Sequence, residues 1–268
     1  FGALPFVISG EIPFYVDAVF EMTSGFTTTG ASILREVESL SHSILFWRSF
    51  SHLIGGMGVL VFALAIFPTG ASETVHLMRA EVPGPKFGKL VARLKQTAII
   101  LYVIYFIMTF ITIILLILGG MNVFDAACHS FGIAGTGGFS TRNASIGFYN
   151  SPYIEWVAGI MMMLFGMNFN LFYMILLGQA ISVWRDEELR VYLSVIFSAT
   201  TAIVISNSIN GVYENLGENI RHTFFSVSSV ITTTGFVTVD FARWSLTAII
   251  IFAIIMMIGG MAGSTAGG

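Results

Sequence analysis

The stretch Phe26-Thr27-Thr28-Thr29-Gly30-Ala31-Ser32 sets hydroxyls and a flexible glycine between two strongly apolar regions. Of the 268 residues, 55% are hydrophobic and 10% charged, with a mean hydropathy of +0.84. Soluble domains carry about 25% charged residues, and a single core could not shelter this much apolar surface. The chain therefore reads as an integral membrane protein. At membrane depth an irregular, hydroxyl-rich backbone is tolerated only where it is buried in protein or lines a water-filled cavity.

Moving outward from this stretch, apolar runs long enough to cross a bilayer lie near 44–67, 97–118, 153–183, 191–209 and 244–260, and residues 1–8 resemble the end of another. Between them lie 14–32, 123–141 and 220–238, which are too short and too polar to cross. Each begins helix-like and ends in hydroxyls and glycines, as a re-entrant loop does. The sequence begins at Phe1 without a basic segment before an apolar one, so no signal peptide is expected. It stops within a glycine-rich run, so we expect the middle of a longer chain.

The opening motif recurs as Thr136-Gly137-Gly138-Phe139-Ser140 and as Thr232-Thr233-Thr234-Gly235-Phe236. Gly30, Gly138 and Gly235 are roughly 100 residues apart, room for an outgoing helix, a turn and a returning helix. Asp17 and Asp125 precede the first two glycines by the same offset of 13 residues, where the third copy has His222. The expected fold is all-α, built from repeated helix, pore-loop, helix units over 1–94, 95–189 and 190–268.

Charge sets the orientation. Arg79, Lys86, Lys89, Arg93 and Lys95 cluster in one connection, and Arg185 and Arg190 lie in the next on that side, so both are assigned to the cytoplasm. The re-entrant loops then open outward, on a side where acids outnumber bases and concentrate cations. A cation leaving water needs its hydration shell replaced, and rings of backbone carbonyls do this without a full charge in low dielectric. Glycine permits the turn this demands, threonine hydroxyls add oxygens, and the carboxyl end of each short helix presents partial negative charge. The expected potassium-binding residues are Thr28, Thr29, Gly30, Thr136, Gly137, Gly138, Thr233, Thr234 and Gly235.

These motifs, with Phe1-Gly2-Ala3-Leu4-Pro5-Phe6, Phe20-Glu21-Met22-Thr23-Ser24-Gly25, Phe46-Trp47-Arg48 and Gly55-Gly56-Met57-Gly58, resemble the TrkH/KtrB/HKT superfamily of potassium transporters, TrkH in particular, across nearly the whole chain. The resemblance implies a potassium-channel-like fold of four repeats, of which three are expected here. It also implies an ion-conducting subunit for potassium uptake. Glycine at position 30, where the HKT branch uses serine with sodium preference, argues for potassium. Further implications are a homodimer in the inner (plasma) membrane, multi-pass and lipid-embedded, a cytoplasmic nucleotide-binding regulatory subunit of the TrkA/KtrA type, and potassium as substrate with no cofactor in this chain. Gly259, Gly260, Ala262, Gly263, Ser264, Thr265, Ala266, Gly267 and Gly268 resemble the intramembrane gate loop that interrupts the second helix of the third repeat. Close packing of helices through small residues is the competing reading of that run.

Other residues carry less. Cys128, the single cysteine, excludes an intrachain disulfide, and it and His129, His52 and His222 lack metal-ligand spacing, which points to packing or hydrogen bonding. Gly55-Gly56-Met57-Gly58 suits close helix approach, Met161-Met162-Met163 an apolar surface, and Arg48 a pair with an outer acid. Asn168 and Asn170 need partners inside an apolar span, either across helices or along a cavity. Pro83-Gly84-Pro85-Lys86 reads as a linker or a cytoplasmic contact. A coupled secondary transporter with a broken-helix site is the alternative function, but it favours inverted repeats and an intramembrane carboxylate. An enzyme would need clustered His, Asp or Cys, and the sequence offers none.

Overall fold

The computed structural model describes residues 1–66 and 86–267, with the side chains of 59–66 and 86–96 outside that description. Arg79, Pro83-Gly84-Pro85 and Gly268 lie outside the described residues, whereas Lys86, Lys89, Arg93 and Lys95 fall in a helix whose side chains are not described there. Helices make up all the regular structure among the described residues. In order the α-helices are α1 Leu4–Ile8, α2 Tyr15–Phe26, α3 His42–Ile66, α4 Lys86–Leu118, α5 Val123–Ala134, α6 Pro152–Phe165, α7 Phe169–Leu176, α8 Ala180–Trp184, α9 Glu187–Ile209, α10 Leu216–Ile231 and α11 Leu246–Ile258, with short 3-10 helices at Ser145–Tyr149 and Phe241–Arg243.

Thr97–Leu118 of α4 and all of α9 are long and apolar enough to cross a membrane. The outer face of α4 exposes Val103, Phe106, Ile107 and Phe110, which suits contact with lipid rather than water. Three short helices, α2, α5 and α10, coincide with the segments read as re-entrant. Local signals start two of them. The Asn122 side chain accepts the Asp125 N–H at 2.8 Å, and Asn215 accepts that of Gly217 at 2.8 Å.

Apolar packing is organised around these short helices. Ala18 and Met22 of α2 pack with Ala3, Phe6, Ile12 and Ile44. Ala126, Ile133 and Ala134 of α5 share the central core with Tyr105, Phe165 and Phe236. Val227 and Ile231 of α10 pack with Ile196, Ile203, Trp244 and Phe252. Met161 and Met162 are buried in this interior and Met163 is half-buried against it, so two of the three methionines are packed core.

The run 153–183, read as a single span, is corrected by the structure. It divides into α6, α7 and α8, and α6 and α7 meet at a 92° bend. Tertiary contact explains the break. The carbonyls of Phe165 and Gly166, freed from the helical ladder, accept the N–H groups of Thr265 at 3.4 Å and Met261 at 2.9 Å. Asn168, half-buried, then starts α7 by accepting the Asn170 N–H at 2.9 Å, a local cap rather than a bond across helices.

Candidate functional site: three converging loops

Each short helix ends in the same way. The N–H of Thr28 bonds to the carbonyl of Gly25 and that of Thr29 to Ser24. Thr136 and Gly137 bond to Ile133 and Gly132, and Thr233 and Thr234 to Val230 and Ser229. This paired arrangement normally sets a glycine in the left-handed region. Here Thr28, Thr136 and Thr233 occupy it, with φ of 54°, 52° and 55°. A β-branched residue is strained there, at a cost of about 1–3 kcal/mol. Each threonine hydroxyl donates to the preceding carbonyl, at 2.8, 2.7 and 2.7 Å, and so partly offsets the strain.

Two residues on, Gly30, Gly138 and Gly235 have φ of +75°, +78° and +85°. Space as well as dihedral requires glycine at the first two. A Cβ on Gly30 would strike the carbonyl oxygen of Gly137, and one on Gly138 would strike that of Thr234. The first loop thus lies against the second, and the second against the third. Gly235 has no atom within 4 Å of a Cβ position. All three glycines line one cavity of about 240 Å³, together with Ser32, Arg35, Arg48, Ser140 and Arg142. Of the nine residues expected at the filter, Thr136, Gly137 and Thr234 are buried, whereas Thr29, Thr233 and Gly235 are exposed.

The chain leaving each loop is fastened to its own short helix. Glu21 accepts the Ser32 hydroxyl at 2.9 Å and the Ile33 N–H at 3.1 Å. His129 occupies the equivalent position in the second unit, nine residues before the glycine, and reaches Ser140 at 2.8 Å. Its Nδ1 lies 2.8 Å from the Asp125 carbonyl and must donate there, so in the neutral ring Nε2 accepts from Ser140. Asp125 accepts from Thr141 at 2.7 Å, and His222 lies 3.2 Å from Thr238, the matching residue of the third unit. Sequence reasoning singled out Asp125 and His222 by their common offset. It missed Glu21 and His129 as partners of the two serines, although that offset too is shared.

α3 closes against the loops from one side. A Cβ on Gly55 would strike the Phe26 carbonyl, and one on Gly56 would lie 2.7 Å from Gly135 Cα, so these glycines admit close approach of the helix to the first two loops. His52 fills the side of the second loop where Gly135 and Gly137 lack side chains, and stacks on Phe139 with centroids 4.1 Å apart. Arg48 pairs with Glu21 and donates to the Ser140 carbonyl at 3.2 Å, in keeping with its expected acidic partner.

The glycine-rich run after α11 touches the loops at Thr136 and Thr233, which do not line the cavity. Thr136 Oγ1 donates to the Thr265 carbonyl at 2.8 Å, and the Gly267 N–H donates to Thr233 Oγ1 at 3.0 Å. Phe169 N–H bonds to the Gly263 carbonyl at 3.1 Å. Residues 259–267 therefore connect the base of two loops to the break between α6 and α7. Among the described residues, no cluster of three His, Cys, Asp or Glu is arranged to hold a metal ion.

A family model described as "Cation transport protein", TrkH, matches residues 2–268. The Trk system potassium uptake protein TrkH of Escherichia coli strain K12 is 41% identical over 270 residues, covering 100% of this chain and 56% of the relative. TrkG of the same strain is 37% identical over 273 residues, covering 99% and 55%. The crystal structure of the potassium transporter TrkH from Vibrio parahaemolyticus superposes with a TM-score of 0.86 at 32% identity, covering 100% of this chain and 55% of that one. The chain thus spans about half the length of the curated relatives it matches.

Proposed function

This chain belongs to the TrkH family of cation transport proteins, and from that premise we propose that it forms most of the selectivity filter and the gate of a potassium uptake system. It is a membrane protein. One observation carries the proposal: three loops of identical helix-end geometry bring Gly30, Gly138 and Gly235 to one cavity, each loop following a helix whose carboxyl end favours a cation. Backbone oxygens of Thr28, Thr29, Gly30, Thr136, Gly137, Gly138, Thr233, Thr234 and Gly235 replace the ion's water.

The repeats run over 1–94, 95–189 and 190–268, and a fourth loop completes the ring. The order of contact supports a ring arrangement, because Gly30 abuts the second loop and Gly138 the third. Residues 259–268 form the gate, which the bonds from Thr136 and Thr233 support. By family resemblance the assembly is a homodimer in the inner membrane, crossing it several times, with a cytoplasmic nucleotide-binding regulatory subunit. A coupled transporter is not favoured, since the names of the relatives point to potassium uptake and the three units repeat in the same sense.

The test is potassium and sodium flux through the full-length protein in liposomes, with Gly30→Ser and Gly138→Ser compared with the parent. The potassium-to-sodium ratio is expected to fall in both. An unchanged ratio in both overturns the filter assignment.

A further inference from the structure

Among the bonds that hold residues 259–267, one differs in kind. Glu188 Oε1 accepts the N–H of Ala262 at 2.7 Å, across 74 positions of sequence. The other anchors are backbone groups at the α6/α7 break and the hydroxyls of Thr136 and Thr233. Those are built into elements that cannot move without dismantling the loops or the break. Glu188 is an exposed side chain in the first turn of α9, and Ala262 is exposed too. A charge-assisted bond between exposed groups is strong enough to bias two arrangements and weak enough to be broken.

The carboxylate sits on a stiff corner. Asp186 caps α9 by accepting the Leu189 N–H at 2.8 Å, and Arg190 donates to the Asp186 carbonyl at 3.4 Å and the Arg185 carbonyl at 3.2 Å. The amino end of α9 also favours negative charge at Glu188. Through α8 and α7 the same stretch of chain reaches Phe169, whose N–H holds the Gly263 carbonyl. Displacing the α7–α9 segment therefore pulls on two adjacent residues of the loop.

We propose that Glu188 is a positioning residue that latches residues 259–267 in the closed arrangement, and that movement of the Trp184–Glu188 corner releases them. This rests on the reading of those residues as a gate, and it adds the contact by which a change at the helix corner reaches it.

The experiment measures potassium flux through full-length protein in liposomes for Glu188→Ala and the isosteric Glu188→Gln. Loss of one charge-assisted bond shifts a two-state loop by roughly three- to tenfold. Maximal flux is expected to rise by that factor in Glu188→Ala and by less in Glu188→Gln. Half-saturating potassium and the potassium-to-sodium ratio stay at parent values, a split that general damage would not produce. In a background free of other reactive thiols, Ser264→Cys, a buried site, is expected to react faster with a maleimide when Glu188→Ala is added. Unchanged or reduced maximal flux in either variant with parental ion selectivity, or unchanged labelling, overturns the latch. Failure of the gate reading shows separately, as parental or lower flux in a well-folded variant shortened within residues 259–268.

Discussion

Arg48 Nε lies 2.6 Å from Glu21 Oε1, with both side chains almost wholly buried. The pair links α3 to α2, and each partner also holds the chain beyond a loop: Glu21 holds Ser32 and Ile33, Arg48 holds the Ser140 carbonyl. The guanidinium also lies 3.5 Å from the centroid of the Phe139 ring. One ion pair thus fixes the first loop relative to the second.

Removing one member leaves the other charged and unpaired in the interior, which costs about 3–5 kcal/mol. Arg48→Met is expected to lower the unfolding midpoint of the purified protein sharply. The double variant Arg48→Met with Glu21→Gln is expected to recover part of that loss, because no isolated charge remains. Strict additivity of the two single changes in thermal unfolding would show that the pair does not act as a unit.

The three loops were legible because their chemistry repeats: a Thr/Gly cluster between apolar runs has few other uses in a membrane, and each copy follows a short helix of the same kind. The bend at Gly166–Asn168 was not legible. Met167 keeps the run apolar, and what breaks the helix is hydrogen bonding from residues about 100 positions away. The choice of Glu21 by Arg48 was hidden for the same reason, since outer acids were plentiful and only packing selects among them. His52 shows a third kind of gap: its role is to fill the space beside Gly135 and Gly137, which no pattern within α3 announces.

Glycine substitutions should rank by what a side chain would meet. Gly138→Ala combines an unfavourable dihedral, costing roughly 1–2 kcal/mol, with a collision against the Thr234 carbonyl. Gly235→Ala carries only the dihedral penalty within this chain. Potassium flux is therefore expected to fall further in Gly138→Ala. Equal losses, measured at matched protein in liposomes, would mean that contact between the second and third loops does not govern the site.

Thr136 Oγ1 is buried within hydrogen-bond distance of two carbonyls, Gly135 on its own loop and Thr265 of the glycine-rich run, which share its single proton. Thr136→Val keeps the shape but leaves both acceptors without this donor, a loss of about 1–3 kcal/mol. Thr136→Ser keeps the hydroxyl and is expected to stay near the parent in unfolding midpoint and basal flux. Thr136→Val is expected to lower the first and raise the second. If the two variants behave alike, the hydroxyl does not tie the loop to residues 259–267.

Asp125 supplies a pH signature. Burial works against its charged form, but hydrogen bonds from Tyr149, Thr141, Arg142 and Asn122 outweigh that and hold the carboxyl at about 2, against an ordinary 3.8. A carboxyl depressed on folding adds stability that is complete above the unfolded value and disappears as pH falls through the folded one. The window therefore runs from about pH 4 down to about pH 2, and the contribution is about 2 kcal/mol. Asp125→Asn forfeits this titration while retaining a side chain of similar shape. The unfolding midpoint of the parent is expected to drop across that window more steeply than that of the variant, with the two converging at its acid end. Parallel slopes would show that the carboxylate does not brace the second loop, because the four donors around Asp125 bind its charged form more strongly than its neutral one.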